Sequence, residues 1–332
     1  TRSEMKRSPR FRVGGRTAIA FQEEIRIQMS RVAAIDCGTN SIRLLIADVA
    51  GGSFREIFRA MEIVRLGQGV DETGSFAPEA IERTLRAVGE FSEEISRRGV
   101  SAIRFCATSA TRDATNRDDF INGVREILGV TPEVISGEEE ARLSFAGAVR
   151  ELHPSDAPFL VIDIGGGSTE FVFGTTEVIS AKSVDIGCVR MSERHLKSQP
   201  PSSESMESAV RDIERAIDLA AVDVDIKSAR TLVAVAGTAT TVAAAALGLP
   251  EYDRQAIHLS RVSADAVHEI SQRFLAMDRS EIAALGYMHP GRVDVIAAGA
   301  LVLDRIMQRT GAAEFVASES DILDGMAWSL GE

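Results

Sequence analysis

Cysteine is scarce in this chain, and long uninterrupted apolar runs are absent from it. The three cysteines are an odd number without the spacing of a metal site, so we expect reduced thiols, as in a cytosolic protein (Cys37, Cys106 and Cys188). Each long apolar stretch is interrupted by Asp, Gly or Arg, and no membrane-spanning helix is expected. A length of 332 residues, a hydrophobic fraction of 45% and a mean hydropathy of +0.02 predict globular cores in two domains.

Positive charge is also in short supply. The net charge is −12, and because residues 1–30 contribute +4, the remainder carries −16. This balance excludes a general nucleic-acid binder. An acidic protein that binds a polyanion needs local arginines, backbone N–H groups and divalent cations instead of a broad positive field. Lysine is almost absent while arginine is abundant, so an isolated arginine is weak evidence of an anion site.

The first 28 residues show no clear periodicity, and Met29 directly precedes the first predicted strand. We interpret residues 1–28 as a dispensable, disordered extension. A targeting peptide is the less favoured alternative, because the segment carries Glu23 and Glu24 and lacks a long apolar region.

Two stretches set 127 positions apart are variations on one pattern, AAIDCGTNSIRLLIADV and LVIDIGGGSTEFVFGTT. Each predicts an apolar strand, an Asp, a glycine-containing turn and a second apolar strand. In the alignment Asp36 matches Asp163, and Arg43 matches Glu170. The sequence therefore predicts two β-hairpins whose tips are equivalent and face a common ligand.

The predicted elements around these hairpins also repeat. From Arg31, three strands joined by tight turns precede alternating helices and strands, and the same order restarts near residue 159. This is the ribonuclease-H-like layout of the actin, Hsp70 and sugar-kinase superfamily, in which phosphates bind in the cleft between two halves. We predict a duplicated α/β fold of this class, with domains at 29–136 and 137–332 and a boundary between 130 and 158.

The hairpin tips are candidate phosphate-binding loops. Glycines allow close approach of the backbone to a ligand, and clustered N–H groups form an anion nest. Ligand binding explains three consecutive glycines between strands better than packing does. The stronger nest comprises Gly165, Gly166, Gly167 and Ser168, and the weaker one comprises Gly38, Thr39, Asn40 and Ser41.

Seven segments together resemble one family, the exopolyphosphatase/guanosine pentaphosphate phosphatase (Ppx/GppA) family of bacterial phosphohydrolases. The resemblance runs from about Val32 to about Trp328 and is closest to short, two-domain members. The segments are DCGTNSIRLLIAD from Asp36, ATSATRDATN from Ala107, ISGEEEAR from Ile135, DIGGGSTE from Asp163, GCVRMSE from Gly187, VAGTATTVA from Val235 and RVDVIAAGALVL from Arg292.

The resemblance implies two catalytic carboxylates. Glu140 matches the family's general base, and neighbouring negative charge is expected to raise its pKa. The adjacent acidic residues are Glu138 and Glu139. Those two neighbours are read as ordinary acidic residues of a first helical turn. Glu170 is the second candidate, implied to orient the attacking water or to contribute to metal binding.

The two tip carboxylates, Asp36 and Asp163, suit Mg²⁺, a hard cation that keeps several waters and bridges to substrate phosphates. The alternative is that each Asp only caps its own turn. Matching positions in both repeats favour the metal. Mg²⁺ is the expected cofactor, with Mn²⁺ and a monovalent cation as alternatives.

Arg43 and Arg112 are the cationic candidates for phosphate contact, since a guanidinium can bind phosphate oxygens bidentately. For Arg43, pairing with Asp48 or Glu170 is equally expected. Thr108 and Ser109 add hydroxyl groups beside Arg112. Gly237 and Thr238 follow a strand and open a helix, so they are expected to contact further phosphates or to cap that helix. The weaker cationic candidates are Arg190 and Arg292.

The resulting functional hypothesis is a Mg²⁺-dependent exopolyphosphatase that releases orthophosphate from inorganic polyphosphate. Guanosine pentaphosphate phosphatase is the alternative within the family. Two alternatives come from other functional classes. One is an ATP-binding actin-like scaffold or sugar kinase, and the other is a non-catalytic nucleotide or polyphosphate sensor. We expect a cytoplasmic homodimer with neither nucleic acid nor membrane as partner.

Overall fold

A computed structural model describes residues 29–331, and the extension predicted at 1–28 lies outside that range. The first sheet begins with three antiparallel strands, β1 (Ser30–Cys37), β2 (Ser41–Ala50) and β3 (Ser53–Ile63). Two further strands, β4 (Ala102–Ala107) and β5 (Glu133–Val134), extend it in parallel with β1. Its strand order is β3-β2-β1-β4-β5.

The second sheet repeats this order. Its strands are β6 (Phe159–Ile164), β7 (Thr169–Gly174), β8 (Val178–Val184), β9 (Thr231–Val235), β10 (Arg261–Ser263) and β11 (Glu314–Ala317). The run β8-β7-β6-β9-β11 reproduces the first sheet, with two antiparallel and then two parallel pairings, and β10 adds an antiparallel edge. The duplicated ribonuclease-H-like α/β fold is therefore confirmed.

Helices connect and cover the strands. They are α1 (Val70–Thr73), α2 (Pro78–Arg98), α3 (Ser109–Asp113), α4 (Arg117–Leu128), α5 (Gly137–Val149), α6 (Cys188–Arg194), α7 (Ser203–Asp223), α8 (Ala236–Ala246), α9 (Arg254–Ile257), α10 (Ala264–Ala276), α11 (Arg279–Ala283), α12 (Ile296–Thr310) and α13 (Ile322–Ser329). None of the helices within residues 29–331 is long and apolar enough to cross a membrane.

The sequence of helix α2 determines where the helix begins and ends. It starts with Pro78 in the first turn and ends at Gly99, whose φ of 66° suits a residue without a side chain. Its buried positions recur three or four residues apart, so one face packs toward the first sheet. Both predicted ends are confirmed.

The last helix returns to the first sheet. Ile322, Leu323 and Met326 of α13 share a core with Val32 and Leu45 of β1 and β2. The end of the chain thus contributes to the N-terminal core, although the segment belongs to the range predicted for the second domain. The predicted boundary between 130 and 158 stays a prediction.

Helices α5 and α13 approach each other through glycine. A Cβ added to Gly147 would lie 1.9 Å from the backbone oxygen of Asp321, and one added to Gly325 would lie 2.1 Å from that of Leu143. Backbone atoms cannot move aside as a flexible side chain can, so this contact tolerates only glycine at both positions.

We predict that Gly147→Ala lowers the free energy of unfolding by about 1–3 kcal/mol or more, because the added methyl group overpacks the α5–α13 contact. Urea unfolding measures the change. The matched control is Gly89→Ala in α2, where nothing lies within 4 Å of the added Cβ. That variant should gain about 0.5–1 kcal/mol from helix propensity. Equal effects of both substitutions would contradict the packing argument.

Candidate active site

The two hairpin tips have the same geometry. In the first hairpin Asp36 pairs with Arg43 across β1 and β2, and in the second Asp163 pairs with Glu170 across β6 and β7. The turns close with equal bonds, from the Gly38 N–H to the Ser41 oxygen and from the Gly165 N–H to the Ser168 oxygen, each at 3.0 Å. The repeat read from the sequence is thus a repeat in three dimensions.

The tips touch each other. A Cβ on Gly166 would lie 2.8 Å from the Thr39 Cβ, and one on Gly167 would lie 2.6 Å from the Ser109 Oγ and 2.7 Å from the Thr39 Oγ1. Contact between the two halves therefore requires these glycines. The sequence-based interpretation attributed the glycines to close approach of a ligand in preference to packing. The structure adds a packing role between the two halves.

The tips enclose a cavity of about 100 Å³ between the two sheets. Of the predicted site residues, sixteen line it: Asp36, Gly38, Thr39, Asn40, Ser41, Arg43, Thr108, Ser109, Glu140, Asp163, Gly165, Gly166, Gly167, Ser168, Gly237 and Thr238. The other two candidates, Arg112 and Glu170, lie directly behind the lining and bond to Glu140 and Ser168 respectively. The structure thus brings all predicted site residues into one region.

Glu140 lies in the first turn of α5, which Ser136 caps by accepting the Glu139 N–H. Arg112 Nη1 donates to Glu140 Oε2 at 2.7 Å and to the Ile135 oxygen at 3.1 Å. Burial raises the pKa of Glu140 to about 7, although Arg112 opposes the shift. A carboxylate with this pKa can accept a proton from water near neutral pH.

Glu170 is 1% exposed and accepts hydrogen bonds from Ser168 Oγ at 2.8 Å and Ser183 Oγ at 2.6 Å. Burial raises the pKa of Glu170 well above its usual value, and the charges of Glu140 and Asp163 add to the shift. This shift favours the protonated form of the Glu170 side chain. Glu170 holds the Ser168 hydroxyl beside the cavity.

The tip carboxylates fit a hard divalent cation. Burial raises the pKa of Asp36, and it raises the pKa of Asp163 to about 6 in spite of a hydrogen bond from Ser144. Buried carboxylates of this kind gain from a nearby cation. Within residues 29–331, His, Cys, Asp and Glu form no group of three or more suited to a metal.

Arg43 pairs with partners other than the two suggested by the sequence. Its Nε and Nη2 donate to Asp36 at 3.0 and 2.6 Å, and its Nη1 donates to Asp321. Asp48 pairs with other arginines, and Glu170 binds serines. Pairing of Arg43 with Asp48 or Glu170 is wrong, because those carboxylates are already engaged elsewhere.

Two further side chains at or beside the cavity were only weakly indicated by the sequence or not indicated at all. Asp321 lies 278 positions from Arg43, and its only local signal is a capping box at the start of α13. Arg292 was a weaker candidate, yet its guanidinium lies against Gly237, where an added Cβ would be 2.4 Å from Cζ. The remaining wall of the cavity is largely apolar: Met61, Ile63, Ile164, Cys188, Ala236, Val295, Ile296 and Ile322.

Comparison with known proteins gives one consistent result. The model of the Ppx/GppA phosphatase family matches residues 45–329. Exopolyphosphatase 2 of Mycobacterium tuberculosis is 49% identical over 315 residues, which cover 91% of this chain and 99% of that protein.

Solved structures agree. A crystal structure of an exopolyphosphatase-like protein has a TM-score of 0.89 at 45% identity, covering 91% of this chain and 98% of the other. The crystal structure of the Aquifex aeolicus member of the Ppx/GppA family has a TM-score of 0.77 at 29% identity, with coverages of 91% and 98%. The phosphohydrolase family predicted from the motifs is confirmed, and the chain belongs to the Ppx/GppA phosphatase family.

Proposed function

We propose that the protein is an exopolyphosphatase, which hydrolyses the terminal phosphoanhydride of inorganic polyphosphate and releases orthophosphate by direct attack of water. The observation that carries this proposal is the carboxylate of Glu140. It lines a cavity shared with two anion-binding loops, and its pKa is raised to about 7. The near full-length relative named Exopolyphosphatase 2 supports the same substrate.

In this proposal Glu140 is the general base. Arg112 holds its Oε2 and thereby orients the carboxylate, which takes a proton as the water oxygen attacks phosphorus. Positioning of water and phosphate provides most of the catalysis, since phosphoryl transfer needs little covalent help from the protein. Glu170, the second candidate, accepts a hydrogen bond from Ser168 and so holds the end of the second anion-binding loop.

The loops supply neutral donors for phosphate oxygens. Thr39 Oγ1 is buried, and no group within residues 29–331 bonds to it, so it is free to donate to a ligand. The carbonyls of Gly165 and Gly166 accept N–H groups of α6. Because C=O and N–H point in opposite directions across a trans peptide, the N–H groups of Gly166 and Gly167 point away from α6. Such groups form an anion nest.

We propose Mg²⁺ as the cation, held by Asp36 and Asp163. When bound, it would neutralise phosphate charge in a protein whose net charge is −12. The two carboxylates fit this role because both are buried at one cavity with raised pKa values.

One observation favours guanosine pentaphosphate as a second candidate substrate. A compartment of about 430 Å³ adjoins the catalytic cavity and shares Arg43, Met61, Ala236, Gly237 and Arg292 with it. Its wall combines arginines and the carboxylates of Glu319 and Asp321 with aromatic and apolar side chains, among them Tyr252, Tyr287, Met288, Pro290 and Leu323. Such a wall suits a nucleoside better than a bare phosphate chain. Both substrates present the same terminal phosphoanhydride to Glu140.

We predict that Glu140→Gln lowers kcat for polyphosphate at least about 100-fold, because the amide keeps the shape of the side chain but cannot take a proton. Phosphate release under saturating polyphosphate and Mg²⁺ measures the effect. Binding of polyphosphate to the variant, followed by calorimetry, should be retained.

The matched control is Glu138→Gln in the same helical turn, whose side chain is 74% exposed. Its kcat should stay within about twofold of wild type. Thermal unfolding should show that Glu140→Gln is at least as stable as wild type. A carboxyl whose folded pKa is raised destabilises the fold above its unfolded pKa, and the amide removes that cost. Wild-type turnover in Glu140→Gln would refute the assignment.

The pH dependence of kcat/KM gives an independent prediction. Glu140 acts as a base only when deprotonated, so kcat/KM should fall with decreasing pH through an apparent pKa of about 7. Arg112 lowers the pKa of Glu140, so Arg112→Gln should move this acid limb to higher pH as well as reduce the rate. A limb below pH 5, unchanged in Arg112→Gln, would show that another group titrates.

A further inference from the structure

Helix α6 holds the second phosphate-binding loop from behind. The Cys188 N–H donates to the Gly165 oxygen at 2.9 Å. The N–H groups of Val189 and Arg190 donate to the Gly166 oxygen at 2.9 and 3.0 Å. The first two glycine carbonyls are therefore fixed by the backbone of the helix.

The third glycine carbonyl is held by a side chain. Arg190 Nε donates to the Gly167 oxygen at 2.6 Å. The Gly167–Ser168 peptide is trans, so a carbonyl turned to Arg190 directs the Ser168 N–H away from α6. Arg190 thus sets the direction of one amide group in the loop that lines the cavity.

The same guanidinium is bound by the other half of the molecule. Its Nη1 donates to Asp71 of α1, and its Nη2 donates to Asp113 of α3 at 2.5 Å and to Ser109 Oγ at 3.4 Å. Arg190 is only 9% exposed and is not among the residues that line the cavity within 29–331. Two carboxylates already neutralise its charge, so it is poorly suited to bind phosphate directly.

We propose that Arg190 is a positioning residue that fixes the second anion-binding loop against the first half of the molecule. Asp71 and Asp113 of the first half hold the guanidinium that binds the Gly167 carbonyl, so the contact between the halves orients this part of the loop. A small displacement of a binding group can reduce the rate strongly, even where that group does no chemistry. The proposal rests on the proposed function, because it takes polyphosphate as the anion.

The test compares kcat and KM for polyphosphate in three single variants and one double variant. We expect Arg190→Gln to lower kcat/KM about 10- to 100-fold. Asp113→Asn, which does not touch the loop, should lower kcat/KM about 3- to 10-fold through Arg190. The double variant should be no worse than Arg190→Gln alone, since the second change removes a partner already lost.

Arg194→Gln is the matched control. Arg194 bonds to the same Asp71 at 2.6 and 2.8 Å, but its other contacts are with Asp185 and Asp212 and not with the loop. Its kcat/KM should stay within about twofold of wild type. Folded Arg190→Gln with unchanged kcat and KM would overturn the proposal, as would equal losses in both arginine variants or additive losses in the double variant.

The outcomes for the two proposals are separable. Wild-type protein that releases no phosphate from polyphosphate contradicts the proposed function. The positioning role is then tested by the calorimetric Kd for inorganic tripolyphosphate in the same variants. Weaker binding in Arg190→Gln, with normal binding in Arg194→Gln, supports it, and equal Kd values in both overturn it. If Arg190→Gln does not fold, Asp113→Asn replaces it in the comparison with Arg194→Gln. Asp113 is suitable because its side chain is 39% exposed and only partly buried.

Discussion

The contact between the two hairpin tips is the constraint on which the site depends. Gly166 and Gly167 have no room for a side chain, because Thr39 of the first tip occupies that space. The contact places Asp36 and Asp163 on one cavity, so neither half forms the site alone. Duplication thus has a chemical consequence, since each repeat provides one loop and one tip carboxylate.

The site concentrates negative charge that the fold only partly compensates. Four carboxylates lie in or beside the cavity with raised pKa values, namely Asp36, Glu140, Asp163 and Glu170. Arg43 and Arg112 each pair with one of them. Burying these carboxylates is energetically costly, and a purely structural cluster would gain stability from apolar replacements. The cluster is therefore consistent with a role in binding a cation and accepting a proton.

Local signals predicted much of this arrangement. The alternation of strands and helices, the limits of α2 and the equivalence of the two tips were all readable from residue pattern. The pairing of Arg43 with Asp321 was not, because it depends on the return of α13 to the first sheet. The short helices α1, α3, α6 and α9 have four to seven residues, too few to show a period. The role inferred for Arg190 needed the position of α3 from the other half.

The most direct test of the central claim is phosphate release from medium-chain polyphosphate, ATP and guanosine pentaphosphate, measured side by side with Mg²⁺. The proposed exopolyphosphatase activity predicts rapid release of orthophosphate from polyphosphate and slower release from the two nucleotides. Release from the nucleotides alone, or from none of the three, would contradict it.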